Sequence, residues 1–224
     1  MRYIRPMNSR AFTLIELLVV MSIIAGLAAL ALPAIGIGQQ QLAKIKDVNN
    51  LKQIGIGCKA YATDFDGDFP KGLDGSGNQL RNEPANANIA YRELFQRGIF
   101  KEERVFYSPG TPGAVKPDGD IGEPDMYNEA IEKGENCYIY VWGQRDSAEP
   151  NDLLAANPTV SGFQPTEKGW SVNEFHPRIH KGNGIVVLRV DGGAEFVQKR
   201  PGNETIVSTT KRRNSEGRVL GPDL

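Results

Sequence analysis

Hydrophobic positions are concentrated in one segment near the start of the chain, and the remainder is polar. Residues 12–43 contain a single charged side chain, Glu16, whereas the eleven residues before them contain three arginines and no acid. Residues 12–37 would form an α-helix about 39 Å long at about 1.5 Å per residue. Because a bilayer core is about 30 Å thick, we expect residues 12–37 to span a membrane.

The charges around this segment predict its orientation. Arginines precede it, and the first basic residue after it is Lys44, so the start of the chain is predicted to be cytoplasmic and the polar part to lie outside. The alternative is a secretory signal peptide cut after residues 29–31. Against it, the apolar run exceeds the usual length of about 7–15 residues, and it contains Glu16. A carboxylate in a membrane helix costs at least about 2.5 kcal/mol, so Glu16 is a functional candidate that needs a partner.

The sequence RAFTLIELLVV at residues 10–20 resembles the cleavage and methylation motif of type IV pilins and type II secretion pseudopilins. The resemblance implies that a prepilin peptidase removes a leader of residues 1–11, by cutting between Ala11 and Phe12, and methylates Phe12. Ala11 departs from the glycine that this family prefers before the cut, and we still expect processing there.

The same resemblance gives Glu16 a role in assembly. The new amine on Phe12 of one subunit would neutralise Glu16 of a neighbour in a filament and so set the subunit register. The alternative is that Glu16 reaches the membrane surface without a specific partner.

Pro33 lies where many pilins also have proline, and it is followed by Gly36 and Gly38. Proline removes a helical hydrogen bond and glycine weakens a helix, so we expect residues 33–38 to kink or melt. Beyond them, apolar residues recur at roughly helical spacing to Phe65, which predicts an amphipathic continuation of the helix over residues 38–65.

A globular head is predicted for residues 66–200 and a polar tail for residues 201–224. The fold class that follows is α+β: a long N-terminal helix, membrane-spanning in its first half, packed on a small antiparallel sheet with long loops. The individual elements expected in the head are a helix within 89–100, an extended piece at 105–107, a strand at 137–142, a hairpin of 184–190 with 194–197, and irregular segments at 72–88, 116–135 and 151–170.

Three carboxylates alternate along the chain at the end of the long helix: Asp64, Asp66 and Asp68. Hard oxygen ligands of this kind bind calcium, although the spacing departs from that of an EF-hand. The same residues, with Gly67 and Pro70, are equally typical of a helix stop and a turn. The sequence predicts no cofactor, with calcium at these three aspartates as the alternative.

The chain has two cysteines and two histidines. Cys58 and Cys137 would form a disulfide outside the cytoplasm, or they are two buried free thiols. His176 and His180 are four residues apart, but Pro177 between them disfavours a helical metal site, so we interpret both as structural or surface residues.

Lys and Arg number 26 and Asp and Glu 27, a formal net charge of -1, so a nucleic-acid partner is not expected. Motifs of nucleophilic or nucleotide-dependent enzymes are not found. The sequence therefore predicts a non-enzymatic pseudopilin or pilin-like subunit of a type II secretion pseudopilus or type IV pilus. The alternative is an anchored, exported binding protein or enzyme.

The resemblance also implies the partners and location of such a subunit. The partners are prepilin peptidase, further pilin subunits, the assembly platform and the bacterial inner membrane. The protein would cross that membrane once, with a cytoplasmic N-terminus and a periplasmic head, before it enters the filament.

Overall fold

The chain divides into two compact units, Met1–Gln41 and Leu42–Leu224. A computed structural model provides the architecture of each. The residues that the structure describes are 12–74, 78–123, 127–166, 169–200, 205–208 and 218–224.

Helix α1 is the longest element and runs from Leu14 to Asp64. In the first unit, the side chains of residues 14–32 are exposed, and nearly all of them are apolar. The backbone remains helical through residues 33–38, so the predicted melting of this stretch is wrong. The kink expected at Pro33 stays a prediction.

In the second unit, α1 has one buried face. Leu51, Ile54, Cys58 and Tyr61 are fully buried and recur every three or four residues. This spacing matches the period of an α-helix. Residues 51–61 of α1 therefore have an apolar face that is buried in the head.

Two glycines lie on this part of α1 because neighbours approach its backbone closely. A Cβ atom added at Gly57 would lie 2.8 Å from Cζ of Phe100, and one added at Gly55 would lie 2.8 Å from Cδ1 of Leu188. These distances are too short for real Cβ contacts. The glycines therefore let an aromatic ring and a leucine pack directly on the helix.

Within the described residues, two sheets and three short helical segments follow α1. The helical segments are α2 (Ala87–Gln96) and two 3-10 turns, Glu103–Phe106 and His180–Gly182. The strands are β1 (Ile139–Trp142), β2 (Leu153–Ala156), β3 (Gln164–Thr166), β4 (Gly169–Val172), β5 (Gly184–Arg189), β6 (Ala194–Gln198), β7 (Thr205–Ser208) and β8 (Arg218–Leu220). The larger sheet has the order β6-β5-β2-β1-β8 and the smaller has the order β3-β4-β7; all neighbouring strands in both are antiparallel.

Strands β1, β2 and β5 of the five-stranded sheet are buried on both faces. Tyr138 and Tyr140 belong to a core shared with α1 and α2, whereas Ile139 and Val141 pack in a second core with Trp170 and Val172 of the smaller sheet. A strand with two covered faces is apolar at every position. This explains the unbroken apolar runs of β1 and β5, and the fold is the predicted α+β class.

The predicted hairpin is confirmed. β5 and β6 pair from Gly184 with Gln198 to Leu188 with Ala194. The turn between them is closed by the Gly193 N–H, which donates to Oδ1 of Asp191 at 2.7 Å. Gly192 in this turn has a φ of 89°, a left-handed value that glycine adopts readily.

Three of the predicted elements differ from those observed. Residues 105–107 were expected to be extended, but residues 103–106 form a 3-10 turn. Residues 151–170 were expected to be irregular, but they contain β2, which lies in the middle of the larger sheet. The polar tail contributes β8, and Leu220 on it is buried in the first core. Short strands without alternating polarity give a weak signal in sequence, because tertiary contacts decide their pairing.

The two cysteines are free in the structure, and both are buried. Burial raises the pKa of Cys58 to about 12. Burial likewise raises the pKa of Cys137, which lies near Ser108 and Thr111 rather than in the core around Cys58. In the structure, Cys58 and Cys137 are therefore two free thiols and do not form a disulfide.

Candidate processing and assembly site

The first turn of α1 is closed by a reciprocal pair of side chains, Thr13 and Glu16. The N–H and O–H of Thr13 donate to Oε2 of Glu16 at 2.9 and 2.7 Å, and the Glu16 N–H donates to Oγ1 of Thr13 at 3.3 Å. The Leu17 N–H donates to the carbonyl of Thr13 at 3.3 Å, as the first intrahelical bond does. This is a capping box, with Thr13 as N-cap and Glu16 at the third helical position.

Glu16 therefore has a partner that sequence reasoning missed, although the Thr-x-x-Glu spacing was readable. Hydrogen bonds from Thr13 do not neutralise its charge. Within the described residues, Glu16 forms no ion pair with a lysine, arginine or histidine. A negative charge near the start of α1 is also favoured by the helix dipole.

Phe12, the predicted methylation site, lies directly before the N-cap and is exposed. Ala11, on the other side of the predicted cut, lies outside the described residues. The cut would therefore fall two residues before the first residue of α1, Leu14.

α1 is long and apolar enough to cross a membrane, and no residue of its apolar, membrane-length part is buried in the structure. Its exposed side chains include leucine, isoleucine and valine on every side of the helix. A helix that is apolar all round is suited to a lipid or protein environment rather than to water.

Among the described residues, the carboxylates of Asp64, Asp66 and Asp68 do not gather closely enough to share one metal ion, whereas another set of three carboxylates does. Asp68 instead forms ion pairs with Lys71 and Arg145. Asp66 has a φ of 52°, and Gly67 after it has a φ of 82°. This geometry is that of a helix stop followed by a turn.

A buried carboxylate on α1 anchors the head, and sequence reasoning did not identify it. Oδ1 of Asp47 accepts a hydrogen bond from Tyr138 Oη at 2.9 Å. Its Oδ2 accepts from Ser108 Oγ at 3.1 Å and from Asn157 Nδ2 at 3.0 Å. Burial and then the Asp47 carboxylate raise the pKa of Tyr138, so its hydroxyl stays protonated and able to donate.

His180 completes this cluster. Its Nε2 lies 3.1 Å from Oδ2 of Asp47, and its ring stands edge-on to Phe196. Its φ of 47° and the φ of 56° at Lys181 are left-handed, conformations that cost energy in residues other than glycine. His176 is separate from the cluster and accepts a hydrogen bond from the Arg178 N–H. The structural interpretation of His180 is thus confirmed.

A second buried carboxylate, Glu93 of α2, joins α1 to the segment after the turn. It accepts hydrogen bonds from the Tyr61 hydroxyl and from the N–H groups of Lys71 and Gly72. Because buried charges require such partners, this carboxylate fixes the end of α1 against α2. Both clusters thus join α1 to other segments of the head through buried carboxylates.

Comparison with known protein families gives one match. Residues 6–32 match the family model described as the prokaryotic N-terminal methylation motif, the signature of type IV pilins and pseudopilins. The matched range contains Ala11, Phe12, Glu16 and the start of α1. In comparisons with curated proteins and with solved structures, nothing matches the chain.

Proposed function

We propose that the protein is a pilin-like subunit that prepilin peptidase cuts between Ala11 and Phe12 and methylates at Phe12. The mature chain would then assemble into a type II secretion pseudopilus or a type IV pilus. The observation that carries this proposal is the N-terminal methylation motif at residues 6–32. Together, the motif and the apolar helix support an exported, pilin-like protein.

The proposed location follows from the charges around α1. Arginines before the apolar segment keep the start of the chain in the cytoplasm, so residues 42–224 would be periplasmic. The subunit would wait in the inner membrane as a single-pass protein. An assembly platform would extract it into the filament, where the apolar side chains of α1 exchange lipid for neighbouring subunits.

Glu16 is the proposed register residue. Cleavage creates a positive α-amino group on Phe12, and Glu16 has no cationic partner within the described residues. In a filament core, the amine of one subunit would pair with Glu16 of the next. A pair offsets the cost of an isolated buried charge, so subunits that bring the two groups together would be favoured.

The decisive measurement is the N-terminus of the mature protein, determined by mass spectrometry in cells with and without prepilin peptidase. The proposal predicts a chain that begins at methylated Phe12 and is absent when the peptidase is deleted. A chain that begins near residue 32 would show ordinary signal-peptide export. The filament proposal would then be wrong, and an exported enzyme or binding protein would take its place.

A second experiment separates the charge of Glu16 from its capping role. Glutamine can occupy the third position of a capping box, so Glu16→Gln keeps the cap and removes the charge. We expect this variant to be processed normally but to assemble poorly, measured as sheared filaments. Thr13→Ala, which removes the cap and keeps the charge, is the matched control. Normal assembly of Glu16→Gln would exclude the register role.

A further inference from the structure

Three carboxylates from separate segments of the head meet at one place. Glu103 belongs to the first 3-10 turn, Asp118 to the loop that follows, and Glu135 to the segment that leads into β1. Each offers an oxygen atom, and these oxygens all lie within 4.8 Å of one another. Among the described residues, none of the three forms an ion pair with a basic side chain.

Glu103 is the least satisfied of the three. Its side chain is buried, with the residue 1% exposed. Oε1 accepts a hydrogen bond from the Ile131 N–H at 2.6 Å, but Oε2 has no hydrogen-bond partner within the described residues. Buried polar atoms in proteins are almost always partnered, so an orphaned carboxylate oxygen requires an explanation.

The electrostatics of the cluster are unfavourable without a positive charge. The carboxylates of Glu103 and Glu135 are both buried and lie close together, with oxygen atoms within 4.8 Å. Arg92 lies nearby, but its guanidinium donates to the carbonyls of Ala130 and Ile131 rather than to the carboxylates. A cation among the three carboxylates would remove their mutual repulsion.

Main-chain amides hold the other two carboxylates in place. Oε1 of Glu135 accepts from the Asp118 N–H at 3.2 Å, and Oε2 accepts from the Glu132 N–H at 2.8 Å. Oδ1 of Asp118 accepts from the Asp120 N–H at 2.8 Å. Glu135 is 4% exposed, whereas Asp118 is exposed. A cation would therefore enter from the side of Asp118.

We propose that Glu103, Asp118 and Glu135 bind one calcium ion. Carboxylate oxygens are hard ligands, and calcium binds them at about 2.3–2.6 Å. Oxygens on opposite sides of such an ion lie about 4.6–5.2 Å apart, which accommodates the observed limit of 4.8 Å. Magnesium needs shorter contacts of about 2.0–2.1 Å and stricter octahedral geometry. Water and main-chain carbonyls would complete the coordination.

Calcium at this site would join the 3-10 turn, the loop at residues 116–123 and the segment before β1. Within the loop, Asp118 and Asp120 each accept a hydrogen bond from a main-chain N–H two residues further along the chain. The ion would thus order a loop that the sequence alone marks as irregular. This inference does not depend on filament assembly, because it concerns binding to the folded chain.

The test is calorimetric titration of calcium chloride into the full chain, purified in detergent and stripped of metal with EDTA. We expect one bound ion per chain and a melting temperature that rises with calcium. Asp118→Asn should weaken binding at least tenfold while the calcium-free protein remains folded, because Asp118 is exposed and asparagine keeps a carbonyl oxygen for the Asp120 N–H.

Asp120→Asn is the matched control, since Asp120 lies on the same loop outside the three ligands; it should bind calcium as the unchanged protein does. Glu103→Gln should abolish binding, with circular dichroism to check its fold. The proposal is overturned if the unchanged protein binds no calcium, if Asp118→Asn binds it equally well, or if magnesium binds more tightly. Each of these results is independent of N-terminal processing, so failure here leaves the proposed function untouched.

Discussion

Nε2 of His180 lies 3.1 Å from Oδ2 of Asp47, and both side chains are 2% exposed. Asp47 belongs to α1, and His180 belongs to the 3-10 turn before β5. Ser108, Tyr138 and Asn157 donate to the same carboxylate. One aspartate thus ties α1 to four separate segments of the head.

Asp47→Ala should strongly destabilise the head. The substitution leaves the buried donors of Ser108, Tyr138 and Asn157 without their acceptor, and each unsatisfied buried polar group costs about 1–3 kcal/mol. The free energy of unfolding, measured with denaturant, provides the comparison. Asp146→Ala is the control, because its ion pair with Lys59 is largely exposed and should cost less than about 1 kcal/mol. Equal losses in the two variants would contradict the anchoring role of Asp47.

Thr13→Ala should loosen the first turn of α1. The variant loses the Oγ1 atom that accepts the Glu16 N–H, and removal of an N-cap costs about 1 kcal/mol. Hydrogen exchange in detergent should show the Glu16 amide exchanging about fivefold faster. Thr13→Ser keeps the hydroxyl and should exchange as the unchanged protein does. Identical exchange in both variants would mean that the cap does not order this turn.

Gly57→Ala should destabilise the head although alanine is the better helix former. Alanine gains about 1 kcal/mol in an open helix, but the added Cβ would lie 2.8 Å from Cζ of Phe100, and overpacking costs about 1–3 kcal/mol. The second substitution Phe100→Leu should recover part of the loss, which a double-mutant cycle would measure. If Gly57→Ala alone is as stable as the unchanged protein, the Phe100 ring moves away from the added Cβ without a cost in stability.

Leu220→Ala should destabilise the head by about 2–5 kcal/mol, the usual cost of a large buried cavity. Leu220 lies on β8, pairs with Tyr140 of β1 and is 3% exposed. Leu224 is 38% exposed, so Leu224→Ala is a matched control in the same segment and should have little effect. Thermal unfolding of both variants would distinguish a tail that belongs to the core from a dispensable one.

The unfolding free energy should fall in alkaline solution because of Cys58. Its native pKa is raised to about 12, above the value of about 8.5 for a free thiol. The unfolded chain therefore loses this proton first, so the stabilisation is complete below about pH 8 and declines as pH rises towards 12. Cys58→Ala should reduce the slope by up to about 1.4 kcal/mol per pH unit.

The buried tyrosines also lower the unfolding free energy in alkaline solution, in the unchanged protein and in Cys58→Ala alike. Their contribution cancels when the pH profiles of the two proteins are compared. Thiol labelling supplies the control for redox state. The unfolded chain should react at both cysteines without reductant, whereas a Cys58–Cys137 disulfide would leave none to label. Parallel pH profiles of the two proteins would contradict the burial of the Cys58 thiol.

Local patterns predicted the elements whose signals lie close together in the chain. The apolar segment, the motif at residues 10–20, the buried stripe on α1 and the β5–β6 hairpin all depend on neighbours within a few residues. Sequence reasoning also allowed the turn at Asp66 and Gly67, where backbone conformation is set locally. The Thr-x-x-Glu spacing at residues 13–16 is a local signal for the helix cap as well. The charge of Glu16 by itself predicted only a partner on another subunit.

The sequence by itself determined the N-terminal methylation motif at residues 6–32 and the apolar helix that overlaps it, because both are properties of contiguous residues. Tertiary structure alone decided that β2 lies at the centre of the sheet, that β8 returns to the core, and that Asp47 meets His180. It also decided that Glu103, Asp118 and Glu135 converge, while the alternating aspartates at 64–68 do not. Contacts between distant residues depend on how the whole chain packs, and no short spacing encodes them.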